Sequence, residues 1–213
     1  VMQFMLSIAF VIYLAFASSS SENVLMIGSI KLLSGIPFYI FAVLFISGMA
    51  NFVNITDGLD GLVSGLTVIF CTFLGSILLL ESNNLAPVVL ALGASTLGFL
   101  WYNTNPARVF MGDTGSLAIG SILPAIALMT HKEIFLILAG AVFILDGLSS
   151  AVQWAVFKYT RIKTGEGRRV FKKSPVHHHF ELCGYPEQTV VVRFWIVGVI
   201  AGCIGFSLWW FLK

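Results

Sequence analysis

Of the chain's 213 residues, 58% are hydrophobic and only 10% charged, and the mean hydropathy is +0.94. A soluble domain carries roughly 25% charged residues, so that class is excluded. No run shows the dyad alternation of a lipid-facing barrel strand, which leaves an all-α polytopic membrane protein. The net charge of +2 is small, and its distribution is more informative than its size.

A spanning helix needs about 20 apolar residues. Seven candidates follow in chain order: Val1–Ala17, Ile36–Phe52, Leu62–Leu80, Ala86–Tyr102, Leu117–Thr130, Ile134–Phe157 and Val190–Leu212. Val1 stands inside an apolar run, with no initiator Met and no signal-peptide n-region. The expectation is that the numbering is partial or that an upstream segment is missing. The fifth candidate is short, and Pro124 inside it predicts a kink or a thinned span. The sixth contains Asp146 and Gln153 and should face protein or water there. Neither a soluble domain nor an internal repeat stands out, so residues 1–213 read as one integral-membrane domain. The three cysteines, Cys71, Cys183 and Cys203, have no metal spacing and suggest no disulfide framework.

Seven spans put loops 53–61, 103–116 and 158–189 on one side of the membrane. Loops 18–35, 81–85 and 131–133 fall on the other. Nine of the 12 Lys and Arg residues lie on the first side, which the positive-inside rule makes cytoplasmic. The same side collects three polar islands: NFVNITDGLDGL (Asn51 to Leu62), NTNPARVFMGDTGS (Asn103 to Ser116) and KKSPVHHHFE (Lys172 to Glu181).

In the first island, Asn54, Asp57 and Asp60 recur every third residue and share a face if the helix continues. Two acids and an amide suit hydrated Mg²⁺ or a nucleotide's hydroxyls and ring nitrogens. The plainer reading is an Asp-Gly turn that caps the next helix. In the second island, Asp113 sits just before a span, between Gly112 and Gly115. It suits either a cap or a hard oxygen ligand for Mg²⁺, and Phe110 suits either core or a surface that stacks on a flat base. In the third, His177, His178 and His179 are adjacent, a poor arrangement for one metal but a good one for contact with a diphosphate or for proton transfer. The basic run from Arg161 to Lys173 is topogenic, or attracts anionic substrate and lipid. His131, Lys132 and Glu133 lie in the opposite loop and need no functional account. Together the islands suggest Mg²⁺-dependent phosphoryl or phosphoglycosyl transfer between a soluble and a bilayer-dissolved substrate.

At NFVNITDGLDGL, PARVFMGDTGSLAIG and SPVHHHFELCGYPEQTVVVRFW the chain resembles the polyprenyl-phosphate N-acetylhexosamine-1-phosphate transferases. The first two motifs are common to that superfamily. The run from Ser174 to Trp195 resembles the bacterial branch that transfers phospho-N-acetylmuramoyl-pentapeptide. The resemblance implies transfer from UDP-N-acetylmuramoyl-pentapeptide to undecaprenyl phosphate, giving lipid I and UMP in peptidoglycan synthesis. It implies a ten-helix fold of which these would be the last seven, a Mg²⁺ cofactor, a homodimer in the bacterial plasma membrane among its lipids, and no nucleic-acid partner. By motif position, Asp113 resembles the Mg²⁺ ligand, and Asp57 and Asp60 resemble essential acids beside the nucleotide. Asn54, Asn103 and Phe110 resemble uridine-pocket residues, while Gln153 and His178 resemble substrate-site residues with His177 beside them. The family also uses an adjacent Asp pair and a Lys in earlier segments, and this sequence has no Asp-Asp. Residues 1–213 alone are therefore expected to be inactive. Asp146 stands where the branch is expected to have Glu, and Gly165–Glu166–Gly167 looks like a slight lengthening of the last loop. Two other readings remain: a sibling enzyme moving GlcNAc-1-phosphate, and a transporter with a midplane ion site.

Overall fold

The computed structural model describes residues 2–17, 23–27 and 30–213. Val1 and parts of the expected 18–35 loop lie outside the described residues. The helices are α1 (Met2–Ala17), α2 (Ile36–Thr56), α3 (Leu62–Leu80), α4 (Ala86–Asn103), α5 (Gly112–Thr130), α6 (Glu133–Ala139), α7 (Ala141–Thr164), α8 (Val176–Leu182) and α9 (Glu187–Leu212). Between α1 and α2, β1 (Val24–Ile27) and β2 (Ile30–Ser34) form a two-stranded antiparallel ribbon that hydropathy did not announce.

Among the described residues six helices, α2, α3, α4, α5, α7 and α9, are long and apolar enough to cross a membrane. The first expected span, Val1–Ala17, is not among them. Helix α1 is apolar but has 16 described residues, which reach about 24 Å against a hydrocarbon core of about 30 Å. Two other boundaries move. The fifth span begins at Gly112, so the GDTGS motif is its first turn and the helix reaches 19 residues with Pro124 buried inside it. The sixth is interrupted at Gly140, whose N–H closes α6 by donating to the Leu136 carbonyl. Helix α7 then runs on to Thr164, beyond the hydropathy boundary at Phe157.

Helix α3 is the central element. Leu62, Leu66, Phe70, Leu74, Ile77 and Leu78 are buried along it, against α4 on one side and α9 on the other. Lipid tails are as apolar as leucine, so helices associate in a membrane through close packing, and small residues permit it. A Cβ at Gly65 would lie 2.2 Å from the Trp195 indole, which fills the α3–α9 seam. At the α2–α5 seam, a Cβ at Gly120 would lie 2.7 Å from the Ala50 Cα and 2.9 Å from the Met49 carbonyl oxygen. There, backbone meets backbone.

Large apolar side chains point outward, as lipid-facing residues do. Trp101, Phe211 and Phe16 are among the most exposed. The end away from the islands is tied by the Lys132–Glu81 ion pair at 2.9 Å and by the Trp209 indole N–H, which donates to Glu81 at 2.8 Å.

Gly120→Ala should lower stability by about 1–3 kcal/mol, the usual cost of overpacking. Gly98→Ala is the control, since nothing lies within 4 Å of its Cβ position. Thermal unfolding in detergent reads both. Equal stabilities would show that the α2–α5 seam opens without cost.

Candidate active site

Helix α2 ends at Thr56, and the chain unwinds over residues 57–61 before α3 begins. Gly61, with φ +78°, takes the left-handed turn that starts α3. The last turn of α2 faces the first turn of α5. The Asn54 amide donates to Asp113 Oδ1 and to Ser116 Oγ, both at 3.0 Å. The Ser116 hydroxyl in turn donates to the Gly112 carbonyl at 3.1 Å. Asp57 caps α2 just past the end of the span and is half-buried. Burial, and then the nearby Asp113 charge, push its carboxyl up from 3.8 to about 6.

Asp60 does not share this face. The unwound turn sends it toward Asn105 and Ala107 at the start of the second island, not toward Asp113. Its Oδ2 accepts from the Ala107 N–H at 3.0 Å and from the Asn105 amide at 3.2 Å. The Asp60 N–H donates to Glu187 Oε1 at 2.8 Å, and Glu187 Oε2 also accepts from Asn105 at 3.1 Å. The common face expected from the spacing of three is therefore corrected. Asn54 and Asp57 lie by Asp113, whereas Asp60 anchors the 104–111 loop to the start of α9.

Asn103, at the end of α4, is 5% exposed and internally satisfied. Its oxygen accepts from the Ser64 hydroxyl at 2.6 Å, and its amide donates to the Val109 carbonyl at 2.9 Å. It braces the loop from beneath. Phe110, the residue after Asn103's carbonyl partner Val109, is 77% exposed, so it is not core.

The third island packs its short helix α8 against this end. His177 and Asp146 are both fully buried. Asp146 Oδ2 lies 2.7 Å from His177 Nδ1, and Asp146 Oδ1 accepts from the His177 N–H at 3.1 Å. The deep acid of α7 is thus turned into protein, as its burial demands. His178 is half-buried and pairs through Nδ1 with Glu181 Oε2 at 2.5 Å. His179 accepts at Nδ1 from the Lys172 N–H at 3.1 Å. Gln153 straps the loop to α7. Its oxygen accepts from the N–H groups of Val170 and Phe171 at 2.9 and 3.0 Å, and its amide donates to the Phe171 carbonyl at 3.1 Å. Beside it opens a cleft of about 350 Å³ with Arg169, Lys173 and Ser174 on its wall.

The three islands do meet, but their predicted residues divide. Asn54, Asp57 and Asp113 form one group, and His177 and His178 approach it across Gly58. Asp60, Asn103 and Gln153 spend polar atoms on holding loops. Sequence reasoning left out Asp146, Glu181, Asn105 and Glu187 as site residues. Glu181 carried a signal, since it follows His178 by three on one helix face. Nothing in the spacing points from Glu187 to Asp60.

The donor set suits a hard cation in part. Asp57 and Asp113 offer carboxylate oxygens whose mutual repulsion a divalent ion would offset. Mg²⁺ typically takes one or two carboxylates and completes its shell with water and substrate phosphate. Among the described residues no group of three or more His, Cys, Asp or Glu side chains is placed to hold a metal.

These features define a multi-pass helical membrane protein with an acid, amide and imidazole site at one end of its bundle. Residues 1–131 match the family described as glycosyl transferase family 4, and the chain belongs to that family. Over 180 residues, 76% of this chain, it is 45% identical to the phospho-N-acetylmuramoyl-pentapeptide-transferase of Chlorobium luteolum, covering 49% of that relative. The protein of the same name from Staphylococcus carnosus is 47% identical over 175 residues, 82% of this chain and 52% of the relative. That of Chloroherpeton thalassium is 42% identical over 182 residues, 78% of this chain and 50% of the relative. The chain spans about half the length of the curated relatives it matches.

The Asp57–Asp113 coupling has a pH signature. Asp57 holds its proton more tightly in the fold than in the unfolded chain. Its contribution to stability is therefore fully present below pH 3.8 and is lost as pH rises to about 6. Asp113→Asn keeps an oxygen for Asn54 and removes the charge. The pH-dependent loss should shrink without vanishing, because burial, the larger cause, remains. The unfolding midpoint followed from pH 3.5 to 7 in both proteins reads this, and identical profiles would show that the two acids do not interact.

Proposed function

We propose that this chain serves transfer of phospho-N-acetylmuramoyl-pentapeptide from its UDP carrier to undecaprenyl phosphate, giving lipid I and UMP in peptidoglycan synthesis. The observation that carries this reading is the convergence of Asn54, Asp57 and Asp113 with His177 and His178 at one end of the bundle. A nucleotide-sugar reaches such a site from water, and a polyprenyl phosphate reaches it from the bilayer. The excess of basic residues on that side supports a cytoplasmic orientation in the bacterial plasma membrane. Because the chain spans half of its relatives, the donor, the lipid acceptor and homodimer assembly all belong to this proposal.

In the reaction, an oxygen of the lipid phosphate attacks the β-phosphorus of the donor. The bond from that phosphorus to the bridging oxygen breaks, and UMP leaves with the electron pair. Asp113 and its neighbour Asp57 would hold Mg²⁺, which when bound offsets charge on the diphosphate. Asn54 keeps the Asp113 carboxylate aimed by hydrogen-bonding one of its oxygens. Phe110 offers the uracil an open ring face, while Asn103 and Asp60 hold the loop that carries it. His178, on the turn that the buried His177 anchors, faces the donor's phosphates, and Gln153 holds the basic loop beside them. The transporter reading loses its best residue, because Asp146, the deep acid, is committed to His177.

The test is UMP release in nanodiscs by the full gene product that contains these residues. Undecaprenyl phosphate is the acceptor, Mg²⁺ is present or absent, and UDP-GlcNAc is the comparison donor. Mg²⁺-dependent release from the muramoyl donor alone is expected, and Asp113→Ala should cut it about 100-fold or more. Release from UDP-GlcNAc instead would move the chain to the sibling activity. Normal turnover by Asp113→Ala would remove Asp113 from its role.

A further inference from the structure

Two carboxylate–imidazole pairs stand side by side at the start of α8. Asp146 engages Nδ1 of His177, and Glu181 engages Nδ1 of His178. The two rings are 4.4 Å apart between centroids and tilted by 61°. With both Nδ1 atoms occupied, each ring has only Nε2 left to offer. Both Nε2 atoms turn toward Gly58, beside Asp57. A Cβ there would lie 2.5 Å from His177 Nε2 and 3.5 Å from His178 Nε2. The absence of a side chain at Gly58 is what lets the rings come this close.

The pairs differ in access. His177 and Asp146 are fully buried, and His177 Nε2 is enclosed without a hydrogen-bond partner. The side chains of His178 and Glu181 are 24% and 31% exposed. The inner pair anchors α8 to α7, and the outer pair alone can meet a ligand from solution. An exposed His–Glu pair three residues apart on a helix adds little stability. Its value here is orientation, because a carboxylate on one ring nitrogen fixes which nitrogen is left for chemistry.

We infer that Glu181 is a positioning residue: it holds His178 so that Nε2 hydrogen-bonds the diphosphate of the nucleotide-sugar donor. This rests on the proposed transferase reading. When the ring carries both protons, Nε2–H donates to an anionic phosphate oxygen, and Glu181 balances the imidazolium charge through Nδ1–H. Asp146 does not touch the ligand; it fixes the neighbouring ring against which His178 stands.

Glu181→Gln is the test, made in the full gene product in nanodiscs with ¹⁵N-labelled histidine. The kcat/KM for UDP-N-acetylmuramoyl-pentapeptide should fall about 10–100-fold, as when outer partners of a functional histidine are lost. The KM for undecaprenyl phosphate should stay as it was. The His178 Nδ1 resonance should move from the signature of a charge-assisted bond to a carboxylate toward that of a bond to a neutral amide, while that of His177 stays as it was, which also reports an intact fold. A Glu181→Gln protein with unchanged donor kcat/KM and an unchanged His178 resonance, beside an active wild type, overturns the role of Glu181 alone. Absence of UMP release from the wild type overturns the transferase reading and takes the diphosphate partner with it.

Discussion

The seam between α2 and α5 governs the polar end of this protein. At Gly120 the two backbones come too close for any side chain, and this fixes the lateral distance between the helices. One helix ends and the other begins at the same level, so Asn54 reaches both Asp113 and Ser116. Asp57 then shares this space with Asp113, and burial first, with the Asp113 charge second, pushes its carboxyl up to about 6. A wider seam would leave these groups to water. Their ordinary chemistry as surface acids would return with it.

A second constraint acts on the depth of charge. A carboxylate close to hydrocarbon needs a partner, and Asp146 and Asp60 each have two. Asp146 takes both a backbone N–H and an imidazole, and Asp60 takes an amide and a backbone N–H. The Glu187 side chain binds the first two islands to the last helix. These partners are also what orders the loops. These carboxylates therefore organise the peptide around them.

How much of this was legible in the sequence varied from residue to residue. Asp113 was read both as a helix-start acid and as a ligand, and it occupies the first turn of α5 beside Asn54. Asn54, Asp57 and Asp60, spaced by three, share a face only if the helix continues, and α2 ends at Thr56, so Asp60 falls in the unwound stretch before α3. Asn103 and Gln153 lie at this end of the bundle, where their side chains hold loop backbone, Asn103 with the Ser64 hydroxyl on its other side. Asp146 was noticed only as an expensive acid in a span. Its partner lies 31 residues away in the chain, a distance over which no periodicity speaks. The ribbon of β1 and β2 and the break at Gly140 were likewise silent, since hydropathy averages over windows longer than either feature.

By itself the sequence determined the solvent. Its apolar runs require lipid around the helices, and alternation of those runs gathers the three polar islands on one side, because every pass through the bilayer reverses direction. It determined the kinds of groups available there as well: hard oxygens, amides, imidazoles and an open aromatic ring. Only the tertiary structure decided which of them meet. Among the described residues six helices are long and apolar enough to span, and the close approach of α2 to α5 and of α8 to Gly58 selects the pairs. The reason is geometric. Hydropathy fixes how deep a residue lies along the membrane normal, whereas hydrogen bonding depends on lateral position and helix rotation, which are set by packing between segments distant in the chain.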